Sequence, residues 1–219
     1  TIVLTIFGVV LSTLHQSSLG ALFLAAPSKL HPLWYTPYLP TYFFVSSVIA
    51  GLSMVIFEGT LSHKAFHDTM GKTYLEEHEP MTYGFANAAS LVLAGYFTVK
   101  VVGLAAGNSW HLLTTGYGLW YLVELIGFIL LPCFLYAVGV RDKKIRLIRW
   151  TSGLAVLGIV INRLNVSVIA FNWHLPASER YFPSFMEIVI SVFMVTLIVI
   201  CFRFIATRMP IFYDHPEYS

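Results

Sequence analysis

Charge is what this sequence has least of. Asp, Glu, Lys and Arg make up 11% of its 219 residues, against about a quarter in an ordinary soluble domain. A chain so poor in charge belongs in a membrane rather than in a large-cored soluble globule. Its formal net charge of +2 is too small to argue for a nucleic-acid partner. Cysteine is nearly missing. Cys133 and Cys201 both fall inside apolar stretches, where a lone thiol usually serves as a small hydrophobe. Two such residues make no disulfide framework and cannot supply the ligands of an iron–sulfur cluster. Catalytic triads, phosphate-binding loops and metal-binding helix motifs are absent from the sequence. No basic leader precedes the first apolar run, so that run does not read as a signal peptide. A chain that opens on Thr1 inside such a run is expected to be the C-terminal part of a longer protein, with more helices upstream.

What is present is apolar. Hydrophobic residues make up 57% of the chain, and its mean hydropathy is +0.74. Six stretches approach or exceed the roughly 20 residues that a spanning helix needs. They are residues 1–25, 41–62, 82–103, 116–140, 147–169 and 183–207. Turn chemistry separates them: Pro27, Pro32, Pro37 and Pro40 in the first loop, Gly107-Asn108-Ser109 in the third, Pro176 and Pro183 in the fifth. Backbone polar groups must be satisfied inside lipid, so helices are the expected solution. The expectation is an all-α polytopic transmembrane helix bundle over residues 1–207, with a cytoplasmic tail over 208–219.

Six spans divide the loops between two faces. Lys64, Lys72, Arg141, Lys143, Lys144, Arg146, Arg149, Arg203 and Arg208 fall on one face, and Lys29, Lys100 and Arg180 on the other. Arg163 lies within a span. The short loop 141–149 alone carries five of these cations, so the basic face is expected in the cytoplasm. The opposite face is aromatic and nearly uncharged, with Trp34, Tyr35, Trp110 and Trp173 among its residues. An interfacial belt accounts for such residues. A docking surface does so too, because interface cores favour aromatics and avoid Lys and Glu.

Helical rise ranks the embedded polar residues by depth, at about 1.5 Å per residue. Measured from the aromatic side, His15 lies about 15 Å in, Glu124 about 12 Å, and Asn162 and Arg163 about 7–10 Å. Glu187 is only a few residues in. The basic half has little to match beyond Glu58 and the two cysteines. The asymmetry predicts a polar pocket opening toward the aromatic face. His15 is its expected anchor, with Ser12 at i−3, Ser18 at i+3 and Gln16 adjacent. Duller readings exist for each residue. Arg163 is expected to pair with Glu124 or Glu187, since a charge in a membrane needs a partner. Asn162 and Asn165 serve equally well as hydrogen bonds between helices. Glu58 can snorkel to the interface, Glu187 can sit at the water boundary, and His15 can be a satisfied core histidine.

Quinone reduction suits such a pocket. It needs two electrons and two protons, and a histidine can bond a quinone carbonyl and exchange a proton near neutral pH. Glu58, Glu124, Asn162, Arg163 and Glu187 are the candidates for a proton path or for shaping the pocket. A two-heme cytochrome b normally needs four embedded histidines, whereas only His15 is embedded here. His31, His63, His67, His78, His111, His174 and His215 fall in loops, at span edges or in the tail. No heme and no metal is therefore expected in this chain. His63 and His67 with Asp68 make at most half a zinc site.

Four motifs carry a resemblance. They are Leu14-His15-Gln16-Ser17-Ser18-Leu19-Gly20, His31-Pro32-Leu33-Trp34-Tyr35, Ala50-Gly51-Leu52-Ser53-Met54-Val55-Ile56-Phe57-Glu58 and Asn162-Arg163-Leu164-Asn165-Val166. Together they resemble the NrfD/polysulfide-reductase family of membrane subunits, and within it the HybB-type subunits of respiratory nickel–iron hydrogenases. The resemblance implies an integral subunit of a bacterial or archaeal inner membrane, without a redox cofactor of its own. Such a subunit exchanges electrons between menaquinone or ubiquinone and an iron–sulfur subunit on the outer face, which serves a catalytic subunit in turn. Its quinone site would lie near the outer face, with His15 as the residue carried over. Some relatives keep an acid a few residues past this histidine, where Leu19, Gly20 and Ala21 stand here. Other readings stay open: a membrane anchor without quinone chemistry, a molybdenum polysulfide-type complex, or a transporter with a central site.

Overall fold

A computed structural model describes residues 2–66, 72–176 and 178–209, with backbone alone over 72–78. Six long helices follow in order: α1 (Ile2–Leu22), α2 (Leu39–Phe66), α3 (Lys72–Ala106), α4 (Gly116–Arg141), α5 (Ile145–Ile169) and α6 (Phe185–Arg208). Each contains a stretch long and apolar enough to cross a bilayer. The chain is an all-α polytopic membrane bundle, and all six expected spans coincide with helices. The ends differ modestly. α2 starts at Leu39, with Pro40 in its first turn, where a missing N–H costs nothing. α3 starts at Lys72, well before its apolar part, and carries Pro80 inside it.

α2, α3, α4 and α5 close a ring: α2 packs on α3 and α5, and α4 on α3 and α5. α1 lies against the outside of α2. Among the described residues α6 makes no extended contact with the bundle, and Ala206 is its one buried residue. Each helix of the ring buries a seam of residues spaced three or four apart. On α3 the seam is Thr82, Ala86, Ala89, Leu93, Tyr96, Lys100 and Leu104; on α5 it is Ile148, Thr151, Ala155, Gly158, Asn162 and Asn165. This spacing keeps one side of a helix facing its partner. Small residues on the seams let backbones approach, as membrane helices require in the absence of a hydrophobic drive between them. Gly158 is such a point: a Cβ there would lie 2.9 Å from the Phe128 carbonyl oxygen of α4.

Two helices leave α-geometry within the membrane. α4 runs as a π-helix over Val123–Leu130, and α5 ends as one over Asn165–Ile169. The wider turn shifts the seam of α4, so that Glu124 and Leu125 are both buried. Such turns often mark functional positions.

The two ends are built differently. At the aromatic end, the loop after α1 crosses to the loop after α5. Leu30 bridges Phe171, His31 N donates to Ala170 O at 2.9 Å, and Asn172 N donates to Lys29 O at 2.7 Å. At the basic end a tight turn joins α4 to α5. There Arg141 Nε and Lys144 Nζ donate to the Asp142 carboxylate at 2.8 and 3.1 Å.

Candidate functional site

The polar centre of the molecule is Glu124, 1% exposed, at the start of the π-helical turn of α4. Four donors converge on it. Lys100 Nζ and Asn162 Nδ2 donate to Oε1 at 2.6 and 2.7 Å; Trp34 Nε1 and Asn165 Nδ2 donate to Oε2 at 2.9 and 2.6 Å. A carboxylate offers about four acceptor positions, and all are taken. Glu124 thereby ties α4 to α3, to α5 and to the aromatic loop. Trp120 Nε1 extends the network by donating to Asn165 Oδ1 at 2.9 Å. Arg163 adjoins it: Nη1 donates to Asn162 Oδ1 at 3.1 Å, and Nη2 to Ser46 Oγ at 2.9 Å and to Phe43 O at 3.3 Å. Its guanidinium lies 3.8 Å from the Phe43 ring centroid, a cation–π contact.

The structure brings together Glu124, Asn162 and Arg163, as their depths suggested, and adds two residues of different assignment. Lys100, counted with the loops, is a buried partner of Glu124 and 4% exposed. Its position on the seam with Ala86, Ala89, Leu93 and Tyr96 was the signal that could have found it. Trp34, expected on a docking surface, is 3% exposed and spends its indole N–H on Glu124. The expected pairing of Arg163 with Glu124 or Glu187 is corrected. Lys100 holds Glu124, and Glu187 caps α6, where Ser184 N donates to its carboxylate at 2.6 Å.

Other candidates stand apart. His15 and Ser18 are exposed on α1, and the Ser18 hydroxyl donates to the His15 carbonyl at 2.8 Å. The side of α1 that meets α2 presents Ser17, which donates to Pro40 O at 3.2 Å, and the buried Gly20. Glu58 is exposed on α2 and accepts from Ser62 of its own helix. Trp110 is 48% exposed at the aromatic end, and Tyr35 is half-buried. Trp173 is held inside the cap: its carbonyl accepts from Arg180 Nη2 at 2.6 Å, and its ring meets His31 at 4.9 Å. His67, Asp68, His78 and His215 lie outside the residues whose side chains are described.

His31 is buried in this cap, and its Nδ1 accepts from Leu33 N at 3.2 Å. Trp34, Tyr117 and Trp173 surround the ring at 5.7, 4.7 and 4.9 Å between centroids. Burial lowers its pKa below the ordinary 6.5, because the charged imidazolium loses its water.

Two cavities flank the polar centre. A groove of about 560 Å³ opens between α1, α2 and α5. Ser12 and Gln16 of α1, Ser47 and Gly51 of α2, and Arg163 and Ser167 of α5 contribute to its wall, with Met54, Ile159 and Val160 among its apolar lining. A cleft of about 400 Å³ lies at the aromatic end, bounded by Pro32, Tyr35, Pro37 and Tyr38 and by the buried Tyr42, Lys100 and Tyr121. Lys100 thus borders the cleft and Arg163 the groove, with Glu124 and Asn162 between them. Concave, mostly apolar space with a few placed polar groups is the general form of a small-molecule site.

Comparison with known proteins fits this arrangement. A protein of Nitratidesulfovibrio vulgaris Hildenborough is 64% identical over 219 residues, which is 100% of this chain and 56% of that protein. A protein of Escherichia coli K12, named "Probable Ni/Fe-hydrogenase 2 b-type cytochrome subunit", is 28% identical over 208 residues, 93% of this chain and 51% of that protein. The chain thus spans about half the length of these curated relatives. No solved structure matches it. The pattern of the polysulphide reductase NrfD family matches residues 1–172, which include the groove, the cleft and the Glu124 network, and the chain belongs to that family.

Proposed function

We propose that this chain is part of a quinone-reactive membrane subunit, one that passes electrons between an iron–sulfur subunit and membrane menaquinone or ubiquinone. The observation that carries the reading is the groove between α1, α2 and α5. A quinone travels in the lipid and must enter sideways between helices. The groove offers an apolar wall for its ring and, in Ser12, Gln16 and Arg163, donors for its carbonyl oxygens. His15 and Ser18, which do not line the groove, have no direct part in this version of the site. Basic loops in the cytoplasm would place the aromatic end on the outer side of an inner membrane. There the exposed Trp110 and Tyr38 would meet the iron–sulfur partner. The Escherichia coli relative supports a nickel–iron hydrogenase as the wider complex; a molybdenum polysulfide-type reductase is the alternative.

The test uses Gly51, which lines the groove and has no atom within 4 Å of the position a Cβ would take. Gly51→Leu would place an apolar side chain into the groove from a position where its Cβ meets no protein atom within 4 Å. The assembled complex should keep its thermal stability and lose most of its quinone turnover. Unchanged turnover with intact assembly would leave a membrane anchor as the better reading. We also propose that this segment holds no heme, since His15 and, at the end of α2, His63 are the histidines within its spans. A reduced-minus-oxidised spectrum of the isolated subunit checks this, and a strong b-type band would overturn it.

A further inference from the structure

Among the described residues, Arg163 is a cation in the membrane that no carboxylate contacts; Glu124 attracts it only from across Asn162. Its partners are the neutral oxygens of Asn162, Ser46 and Phe43. The carboxylate in the same layer, Glu124, is held by Lys100 at 2.6 Å. Among the described residues, the remaining carboxylate pairs with Lys or Arg are at Asp142, at the basic end. Lys100 and Glu124 cancel, so among the described residues this layer keeps one positive charge in excess, and it sits on Arg163. An unmatched charge in a low-dielectric setting is costly, and an anion placed against it would relieve that cost. Arg163 also faces a space that could hold one, because it lines the groove. A guanidinium has five N–H donors, and its three hydrogen bonds to Asn162, Ser46 and Phe43 do not exhaust them.

We propose that the groove binds its ligand through an anionic oxygen laid against Arg163, so that it selects an acidic lipid-borne molecule over a neutral one of the same shape. The proposal rests on the quinone reading for the ligand's ring, and it narrows the class to quinones with an ionised ring hydroxyl and to quinols that have shed a proton. A phospholipid phosphate carries the same chemistry and reaches the same place from the bilayer. Ser12 and Gln16 would bond the neutral oxygens of the head group, while Arg163 sets the preference for charge.

The experiment uses the full-length protein in its native complex, in a neutral detergent freed of anionic lipid. Two probes are compared: an alkylated hydroxynaphthoquinone, ionised at neutral pH, and its uncharged O-methyl ether. Phosphatidylglycerol serves as a competitor. The ionised probe should bind tighter by about tenfold or more, the scale of a hydrogen bond to a charged group over a neutral one. Arg163→Gln should erase that difference by weakening the ionised probe alone, and Arg163→Lys should restore most of it. Gly51→Leu should exclude both probes, which keeps the assignment to the groove testable even where Arg163→Gln fails to assemble. Equal binding of the two probes to the native protein, or a preference that survives Arg163→Gln, would overturn the inference and leave the quinone reading standing. If neither quinone binds but phosphatidylglycerol does, with the same dependence on Arg163, the quinone reading falls and the anion site belongs to a lipid.

Discussion

The core of the four-helix ring has two halves that share seams and differ in chemistry. Toward the aromatic end the seams carry Lys100, Glu124, Asn162 and Asn165. Toward the basic end they carry hydroxyls: Tyr136 donates to Ser53 Oγ at 3.0 Å, Ser90 to the Cys133 carbonyl at 3.1 Å, and Thr151 to the Leu147 carbonyl at 2.8 Å. A hydroxyl can satisfy itself on the backbone of its own helix, as Thr151 does, so it is cheap to bury. A carboxylate cannot. Glu124 needs donors from α3, from α5 and from the loop before α2, and a change in any of them exposes the rest. Among the described residues of the basic half, the hydrogen bonds between these seams are made by hydroxyls and backbone carbonyls. The aromatic half adds charges to that packing, and charges within a membrane are the usual marks of a candidate functional site, which is why the functional reading is placed there.

The largest effect should come from removing the keystone. Glu124→Leu would leave Lys100 unpaired and three neutral donors without their acceptor. Breaking a buried pair in this way costs about 3–5 kcal/mol, to be read as a shift of the unfolding midpoint in detergent. Lys100→Met added to Glu124→Leu should recover much of the loss, because the stranded charge is then gone. A double variant as unstable as the single one would show that the four hydrogen bonds, rather than the charges, hold this half together. Tyr136→Phe makes the matching change in the basic half and should cost only about 0.6 kcal/mol, the average for a hydrogen bond between membrane helices. A loss there as large as that at Glu124 would erase the distinction between the halves.

Much of this was legible in the chain before folding. Lipid forces apolar stretches into helices, so the six spans were readable from composition and length. The crowding of polar residues toward one side was readable from helical rise alone. Partner choice was not. Arg163 and Glu124 lie at similar depths, and depth says nothing of which seams meet. Lys100 takes Glu124 because α3 and α4 are neighbours, which is a tertiary fact. Lys100 itself could have been found from its four-residue spacing after Tyr96, which sets it on the buried seam of α3. His15 differs in the opposite sense: it is exposed on α1. A histidine in a span looked like a pocket residue, yet α1 touches the ring only along one side, and Ser17 and Gly20 occupy it.

The smallest expected effect separates the two ends by pH. His31 accepts a hydrogen bond from Leu33 N through Nδ1, which only the neutral imidazole can do. Burial holds its pKa below the ordinary 6.5. Its contribution to stability is therefore complete above the unfolded value and is lost as the pH falls through the folded one. Asp142 follows the same sign in a lower window: hydrogen bonds from Arg141 and then Lys144 hold its carboxyl below the ordinary 3.8. Acidification from about pH 8 to about pH 5 should thus loosen the aromatic cap alone. Trp34 and Trp173, which pack on the His31 ring, give the fluorescence signal in a variant that lacks Trp110, Trp120 and Trp150, and the exposed Trp150 of the basic end serves as the control in a variant that keeps it alone of the five tryptophans. His31→Gln should flatten the acid response of the cap, since an amide in that place has no proton to gain. If the response persists in His31→Gln, some other group opens the cap, and the contrast between the ends would have to be drawn from the charges in the core alone.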